Sequence, residues 1–303
     1  MERSSNDGGL SPQQKITYAT YLFTKNSPQG RYDGVIDVAK DALQHIDDLK
    51  RSERLRLFTI LMQSPGARLT AKQKKILASD TVVSMPKIPS AMLVKQYLLR
   101  TYHGFGISNT GAVVQQAESI CESDATLDET KSFAHILICA YGERVVDSID
   151  WLQKNGDEFS LTEGVRLASG RFNGRWRAQM HIDQALEKVR HPILRARLLT
   201  KRIEIYTKML RDQDKEYDHR VNEQKDVIMR AIREAFIAVR KTAGATESQV
   251  SSYYNVGLLY AHEGDNGTAR MMLSKAVEMA EIYGLSGLAI AAQTAMYRMS
   301  QPE

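Results

Sequence analysis

Apolar residues along this chain recur at steps of three and four, the spacing that gathers side chains on one face of a helix. Ser252–Gly284 carries the pattern most clearly. Tyr253, Val256, Gly257 and Tyr260 share a face before Gly264-Asp265, and Ala269, Leu273 and Ala276 share one after it. Gly257, Ala269 and Ala276 are small enough for two helices to approach closely, with Gly264-Asp265 as the turn between them. A helix pair of this kind cannot bury its apolar faces alone, so it needs stacked neighbours.

The same reading extends over the rest of the chain. Residues 1–10 are polar and Ser/Asn/Gly-rich, a disordered tail by composition. Ser11-Pro12 is a helix-start signal that opens a helix running to about Lys25. Arg31–Leu49 follows a turn and places Tyr32, Val35, Ile36, Ala39, Ala42, Leu43 and Ile46 on one face. Further helices are predicted near 51–63, 70–79, 90–101, 110–123, 127–140, 142–154, 160–170, 174–189, 193–213, 215–243, 247–263, 266–283 and 286–299. The segment 215–243 is charge-rich at its start and is expected to bend or break near His219. Breaks fall at clusters of turn residues such as Ser64-Pro65-Gly66 and His191-Pro192. Runs of β-branched residues are short and isolated, so the expected fold is all-α. The expected organisation is N-terminal helical pairs over 11–83, a linker over 84–90, and a larger helical array over 91–303 closed by a capping helix.

Composition adds little to this picture and charge adds more. Hydrophobic residues at 43% and charged residues at 25% are ordinary for a globular protein of 303 residues. Cys121 and Cys139 lie within apolar or helical patterns and read as small buried hydrophobes, with a disulfide or redox pair as the other option. No apolar run is long enough to span a bilayer, and the start MERSSNDGGLSPQQK lacks an apolar secretory core. The expectation is cytoplasmic; an upstream start missed in gene calling would reopen it. The net charge is +5, yet residues 166–211 hold twelve Lys/Arg against three acids, an excess of nine that leaves the rest of the chain net acidic.

Residues 250–283 resemble a tetratricopeptide repeat. Tyr253 stands where that family prefers a large aromatic, Val256-Gly257 where it has Leu-Gly, and Tyr260 at its next aromatic position. Ala269, Leu273 and Ala276 fall at its small, large and small positions; its terminal Pro is replaced by Glu281. Arg31–Ala42 resembles a second-helix fragment of the same repeat. The resemblance implies a right-handed superhelical solenoid of antiparallel helix pairs whose first helices line a concave groove. By that analogy Ser251, Tyr254, Leu258 and His262 face the groove, or are covered there by the helix at 286–299. A subclass that grips peptide C-terminal carboxylates uses Lys and Asn at such positions. Tyr254 and Leu258 replace them here, which suits an apolar or helical segment of a partner protein.

No sequence signature for catalysis, metal or cofactor accompanies this scaffold. Phosphate-loop, zinc, EF-hand and nucleophile-elbow patterns are missing, and His181 and Asp183 are two apart, hence on different helix faces. Asp212–Asp218 is acidic but lacks a calcium loop's glycine. The expectation is therefore a non-enzymatic scaffold or adaptor for a protein or peptide partner. The alternative is a nucleic-acid-binding helical repeat. Arg171, Arg175 and Arg177 surround Phe172 and Trp176, and Arg195, Arg197, Lys201 and Arg202 follow on the adjacent helices. Such arginines can bind phosphates, and aromatics can stack on bases. They can equally cap helix ends or pair with acids, and the spacing of Trp176 with Ala178, Ile182 and Ala185 favours a core role for the tryptophan.

Overall fold

The chain's helices are seen in a computed structural model that describes residues 10–26, 33–64, 70, 72–73, 110–123, 126–172, 174–211, 221 and 223–300. Among the described residues there are thirteen α-helices and a single 3-10 turn, with no strand. The predicted helices near 70–79 and 90–101, the 84–90 linker, the 1–10 tail and Asp212–Asp218 lie wholly or largely outside the described residues. The chain divides into two compact units, Met1–Glu143 and Arg144–Glu303.

The first unit contains α1 (Pro12–Asn26), α2 (Asp33–Leu43), the 3-10 turn Ile46–Asp48, α3 (Arg51–Gln63), α4 (Thr110–Glu122) and α5 (Asp128–Tyr141). The start of α1 is a reciprocal cap. Ser11 N–H donates to Gln14 Oε1 at 2.8 Å, and Gln14 N–H donates to Ser11 Oγ at 3.3 Å, which satisfies two orphan donors of the first turn. Helix α2 buries Val35, Ile36, Ala39, Ala42 and Leu43, the face read from its periodicity, and α1, α2 and α3 pack on one another. Helices α4 and α5 form a second antiparallel contact. The two cysteines are not joined in a disulfide, and Cys139 is buried on α5.

The second unit contains α6 (Val145–Asn155), α7 (Glu158–Ala168), α8 (Arg175–Lys188), α9 (Pro192–Arg211), α10 (Lys225–Lys241), α11 (Thr246–His262), α12 (Asn266–Ile282) and α13 (Ser286–Arg298). Its packing follows a rule. Each helix from α6 onward packs on its successor, and each odd-numbered helix from α7 also packs on the next odd one: α7 on α9, α9 on α11, α11 on α13. Successive hairpins are therefore joined through their first helices.

The turn predicted at Gly264-Asp265 is built as the sequence suggests. Gly264 takes φ 80°, a left-handed value that costs a glycine little, and Asp265 N–H donates to Tyr260 O at 3.0 Å to close α11. Asp265 then caps α12 by accepting from Thr268 N–H at 3.0 Å, so two residues end one helix and start the next. Gly257 meets Leu273 across the hairpin, and a Cβ placed there would lie 2.8 Å from Leu273 Cγ. Among the described residues no helix is long and apolar enough to cross a membrane.

Candidate interaction surface

Helix α11 touches four neighbours, and each takes a different part of its circumference. Toward α9, Ser252 Oγ and Thr200 Oγ1 lie 3.2 Å apart. Toward α10, Tyr253 meets the Phe236 ring edge-on at 5.0 Å, with the Arg240 guanidinium near both rings. Toward α12, Val250 and Gly257 meet Leu273. Toward α13, the cluster that holds Ala289 and Ala292 also includes Val250 of α11, and Tyr254 packs against that cluster.

At about 100° per residue, the arc left over carries Ser251, Asn255, Leu258 and His262. His262 is exposed and the other three are half-buried. Asn255 Nδ2 donates to Ser251 O at 2.8 Å, which holds the amide against its own helix. All four expected groove residues fall on or beside this arc, together with Asn255, which sequence reasoning passed over. Tyr254 is half-buried and packs against the cluster of Val250, Leu273, Ala276, Ala280, Ala289 and Ala292.

The adjoining arc of α9 is charged. Glu204 lies four residues from Thr200, which faces α11, and seven from Arg197, which faces α7, so it sits between those two contacts. Lys201 and Lys208 both donate to Glu204, each at 2.8 Å. Burial pushes the Glu204 carboxyl up, but the two lysines outweigh it and hold it below the usual carboxylate range.

A second cluster sits on the α7 side of the same arc. Glu163 is almost fully buried, yet it is charged. Arg166 Nε donates to its Oε2 at 2.8 Å, and Arg197 Nη1 donates to its Oε1 at 2.9 Å. Desolvation pushes this carboxyl up, but Arg166 and Arg197 prevail and its pKa falls below the ordinary value. Each cluster sets two cations against one carboxylate. The odd-helix side of this unit therefore carries a modest positive excess beside the apolar and polar arc of α11.

The remaining basic residues are directed elsewhere. Arg195 donates to Val189 O at 2.7 Å and also to Leu186 O, satisfying carbonyls at the end of α8. Arg202 pairs with Asp183 at 3.1 Å and lies over the Tyr206 ring. Arg175 donates to Lys208 O at 2.6 Å. Five of the seven basic residues singled out by sequence are thus held by partners within the fold. Arg171 and Arg177 are exposed, on and beside the turn that leads into α8.

His181 is buried and stacks on Phe172, with ring centroids 4.6 Å apart. Trp176 is half-buried on the first turn of α8. Glu163 was not singled out from sequence, although its three-residue spacing from Arg166 was a usable signal. Among the described residues no group of three His, Cys, Asp or Glu is placed to hold a metal. Comparison of the chain with protein-family models, curated proteins and solved structures finds no match.

Proposed function

We propose that residues 158–298 form a tetratricopeptide-like array of antiparallel helix pairs in a right-handed superhelix. We further propose that it acts as a non-catalytic scaffold or adaptor that binds a segment of a partner protein in a groove along the odd-numbered helices. The carrying observation is the packing order, in which α7, α9, α11 and α13 contact one another in sequence. An array joined through its first helices turns those helices toward a shared face. On that face Leu258 supplies an apolar contact, Ser251 and His262 supply polar ones, and the Lys201–Glu204–Lys208 and Arg166–Glu163–Arg197 clusters favour an acidic approach.

The test is capture of partners from native lysate by the purified full chain, compared with Leu258→Asp and repeated after nuclease treatment and at raised salt. A discrete protein that survives both treatments and is lost with Leu258→Asp supports the groove. Equal recovery by the variant refutes it. Recovery that disappears with nuclease favours the nucleic-acid alternative, centred on exposed Arg171 and Arg177. Neutralising these two arginines would then reduce the salt slope of binding by about one for each side chain that had met a phosphate.

A further inference from the structure

The register between α9 and α11 sets which charged group stands beside each position of the open α11 arc. Ala196, near the start of α9, packs on Val239 near the end of α10. Lys225, at the start of α10, pairs with Glu263 just past the end of α11 at 2.8 Å. Each of these neighbouring pairs is therefore antiparallel, and α9 and α11 run the same way. The Thr200 hydroxyl of α9 fixes their level, because it lies 3.2 Å from Ser248 O and 3.2 Å from Ser252 Oγ. With both helices rising about 1.5 Å per residue, Lys201 is level with Ser251 and Lys208 with Leu258.

This arc of α9 is rich in donors and poor in open acceptors. Arg197, Lys201, Glu204 and Lys208 fall within about 60° of one another around the helix. All four are half-buried or exposed, whereas Ala196, Leu198, Ile203 and Ile205 on the other arcs are buried. Both carboxylates beside these cations are already engaged at each oxygen. Glu163 accepts from Arg197 and Arg166, and Glu204 accepts from Lys208 and Lys201. Each lysine ammonium has three donor hydrogens and gives one of them to Glu204. Four cations thus stand against two carboxylates. The surplus charge and donors lie at Lys201 and Lys208, whose side chains are 20% and 50% exposed.

Such a surface complements an acidic occupant, and the spacing of the lysines selects its shape. Lys201 and Lys208 are one heptad apart, about 10 Å along α9, with Glu204 between them. A second helix laid along α9 and α11 has the same rise, so its own residues seven apart meet both lysines. An acid midway between those two would meet Glu204 and be repelled. Leu258, level with Lys208, offers an apolar contact beside the charged one.

We propose that the occupant of this groove is an acidic amphipathic helix of a partner protein, laid along α9 and α11. Its carboxylates stand one heptad apart against Lys201 and Lys208, and an apolar side chain next to the carboxylate at Lys208 meets Leu258. This assignment rests on the groove reading above and specifies what fills the groove.

Selection of phage-displayed random peptides, each about five helical turns long, on the immobilised full chain tests it. Enriched peptides should carry Asp or Glu seven residues apart, with an apolar residue three or four positions from one of them. Lys201→Gln/Lys208→Gln should weaken their binding by about two- to thirtyfold, the loss of two partly exposed ion pairs. Its circular dichroism should match wild type, because both side chains reach solvent. No enrichment, peptides without an acidic excess or without the heptad spacing, or equal binding to the lysine variant each overturn the acidic helix. So do enriched peptides that bind Leu258→Asp as well as wild type, since they occupy another site. Loss of lysate capture in Leu258→Asp decides the groove reading separately, so a failed acidic helix and a failed groove are told apart.

Discussion

Replacing Gly257 with alanine sets two well-known effects against each other at one position. Alanine in a helix interior is favoured over glycine by about 0.5–1 kcal/mol. The added Cβ at Gly257, however, would lie 2.8 Å from Leu273 Cγ, 2.9 Å from its Cδ2 and 3.3 Å from its backbone nitrogen. Leu273 cannot swing aside easily, because it is fully buried in one cluster with Val250, Ala276 and Ala280. Overpacking of a filled core costs about 1–3 kcal/mol, so it outweighs the propensity gain and leaves a net loss of about 0.5–2 kcal/mol. For a unit of this size that lowers the melting temperature by about 2–6 °C. Differential scanning calorimetry of wild type, Gly257→Ala, Leu273→Ala and the double variant reads the effect. Leu273→Ala alone should cost about 2–5 kcal/mol through the cavity it opens. In the double variant the new methyl group occupies part of that cavity, so the combined loss should fall short of the sum by about 0.5 kcal/mol or more. Gly34→Ala on α2 is the control. A Cβ there meets nothing within 4 Å, so the melting temperature should hold or rise. A melting temperature for Gly257→Ala equal to or above wild type would refute the close-approach argument.

Two further outcomes follow from buried ionisable groups. Glu163→Gln leaves the Arg166 and Arg197 guanidinium groups without their carboxylate and should destabilise the second unit by about 3–5 kcal/mol near neutral pH. Because the folded pKa of Glu163 is depressed, its contribution is present above roughly pH 4.3 and is lost as pH falls through the folded value, so wild type and variant should converge in acid. Parallel urea melts across that range check this, and curves that stay equally separated contradict it. His181 behaves in the opposite way. Burial lowers its pKa and outweighs the nearby Asp150 carboxylate, which pulls the other way; Arg177 adds to the lowering and Gln184 opposes it, so the folded protein prefers the neutral ring. Below roughly pH 6.5 the unfolded chain takes up a proton that the folded chain resists. Stability therefore declines as pH drops, and the decline ends below the folded pKa. His181→Phe should keep the stack on Phe172 and flatten this dependence between roughly pH 7 and pH 5. An unchanged pH profile of the urea midpoint would show that another group is responsible.

Local patterns were legible where one helix or one turn decides the outcome. The face of α2, the Ser11 start of α1 and the Gly264-Asp265 hinge depend on residues within a turn of one another, and each stands where its pattern places it. The beginning of α7 shows a smaller loss of information. It is predicted at 160 and observed at Glu158, because Asp157 accepts from Ser160 N–H at 2.8 Å and fixes the start earlier than hydrophobic periodicity indicates. Interhelix relations were not legible. That Tyr254 packs against a cluster drawn from α11, α12 and α13 depends on residues up to 38 positions away along the chain. Twelve basic residues in one segment look like one surface, but a helix rotates successive positions by about 100°, which sends Arg195 to the end of α8 and Arg197 to Glu163 of α7. The partner of Arg197 lies 34 residues away, beyond the reach of any local pattern.

These long-range pairs also explain how the hairpins are held together where the turns differ. The last four carbonyls of a helix lack partners within it, so each junction must supply donors. At the end of α12 the chain does so itself: Gly284 takes φ 68° and Leu285 N–H donates to Ala280 O at 2.7 Å. At the end of α8, Arg195 of α9 reaches back to the carbonyls of Leu186 and Val189. At the end of α10, the Gln249 amide of α11 donates to Arg240 O at 3.1 Å and Thr242 O at 3.0 Å. At two junctions, then, a side chain of the following odd helix is tied to the end of the preceding even helix, in addition to the apolar contact between them. Such a tie fixes the position of each odd helix relative to the hairpin before it. The arc that carries Leu258 and the Lys201–Glu204–Lys208 cluster is consequently set by the fold before any partner arrives. Binding there would lose less ordering entropy than binding to a surface that must first assemble.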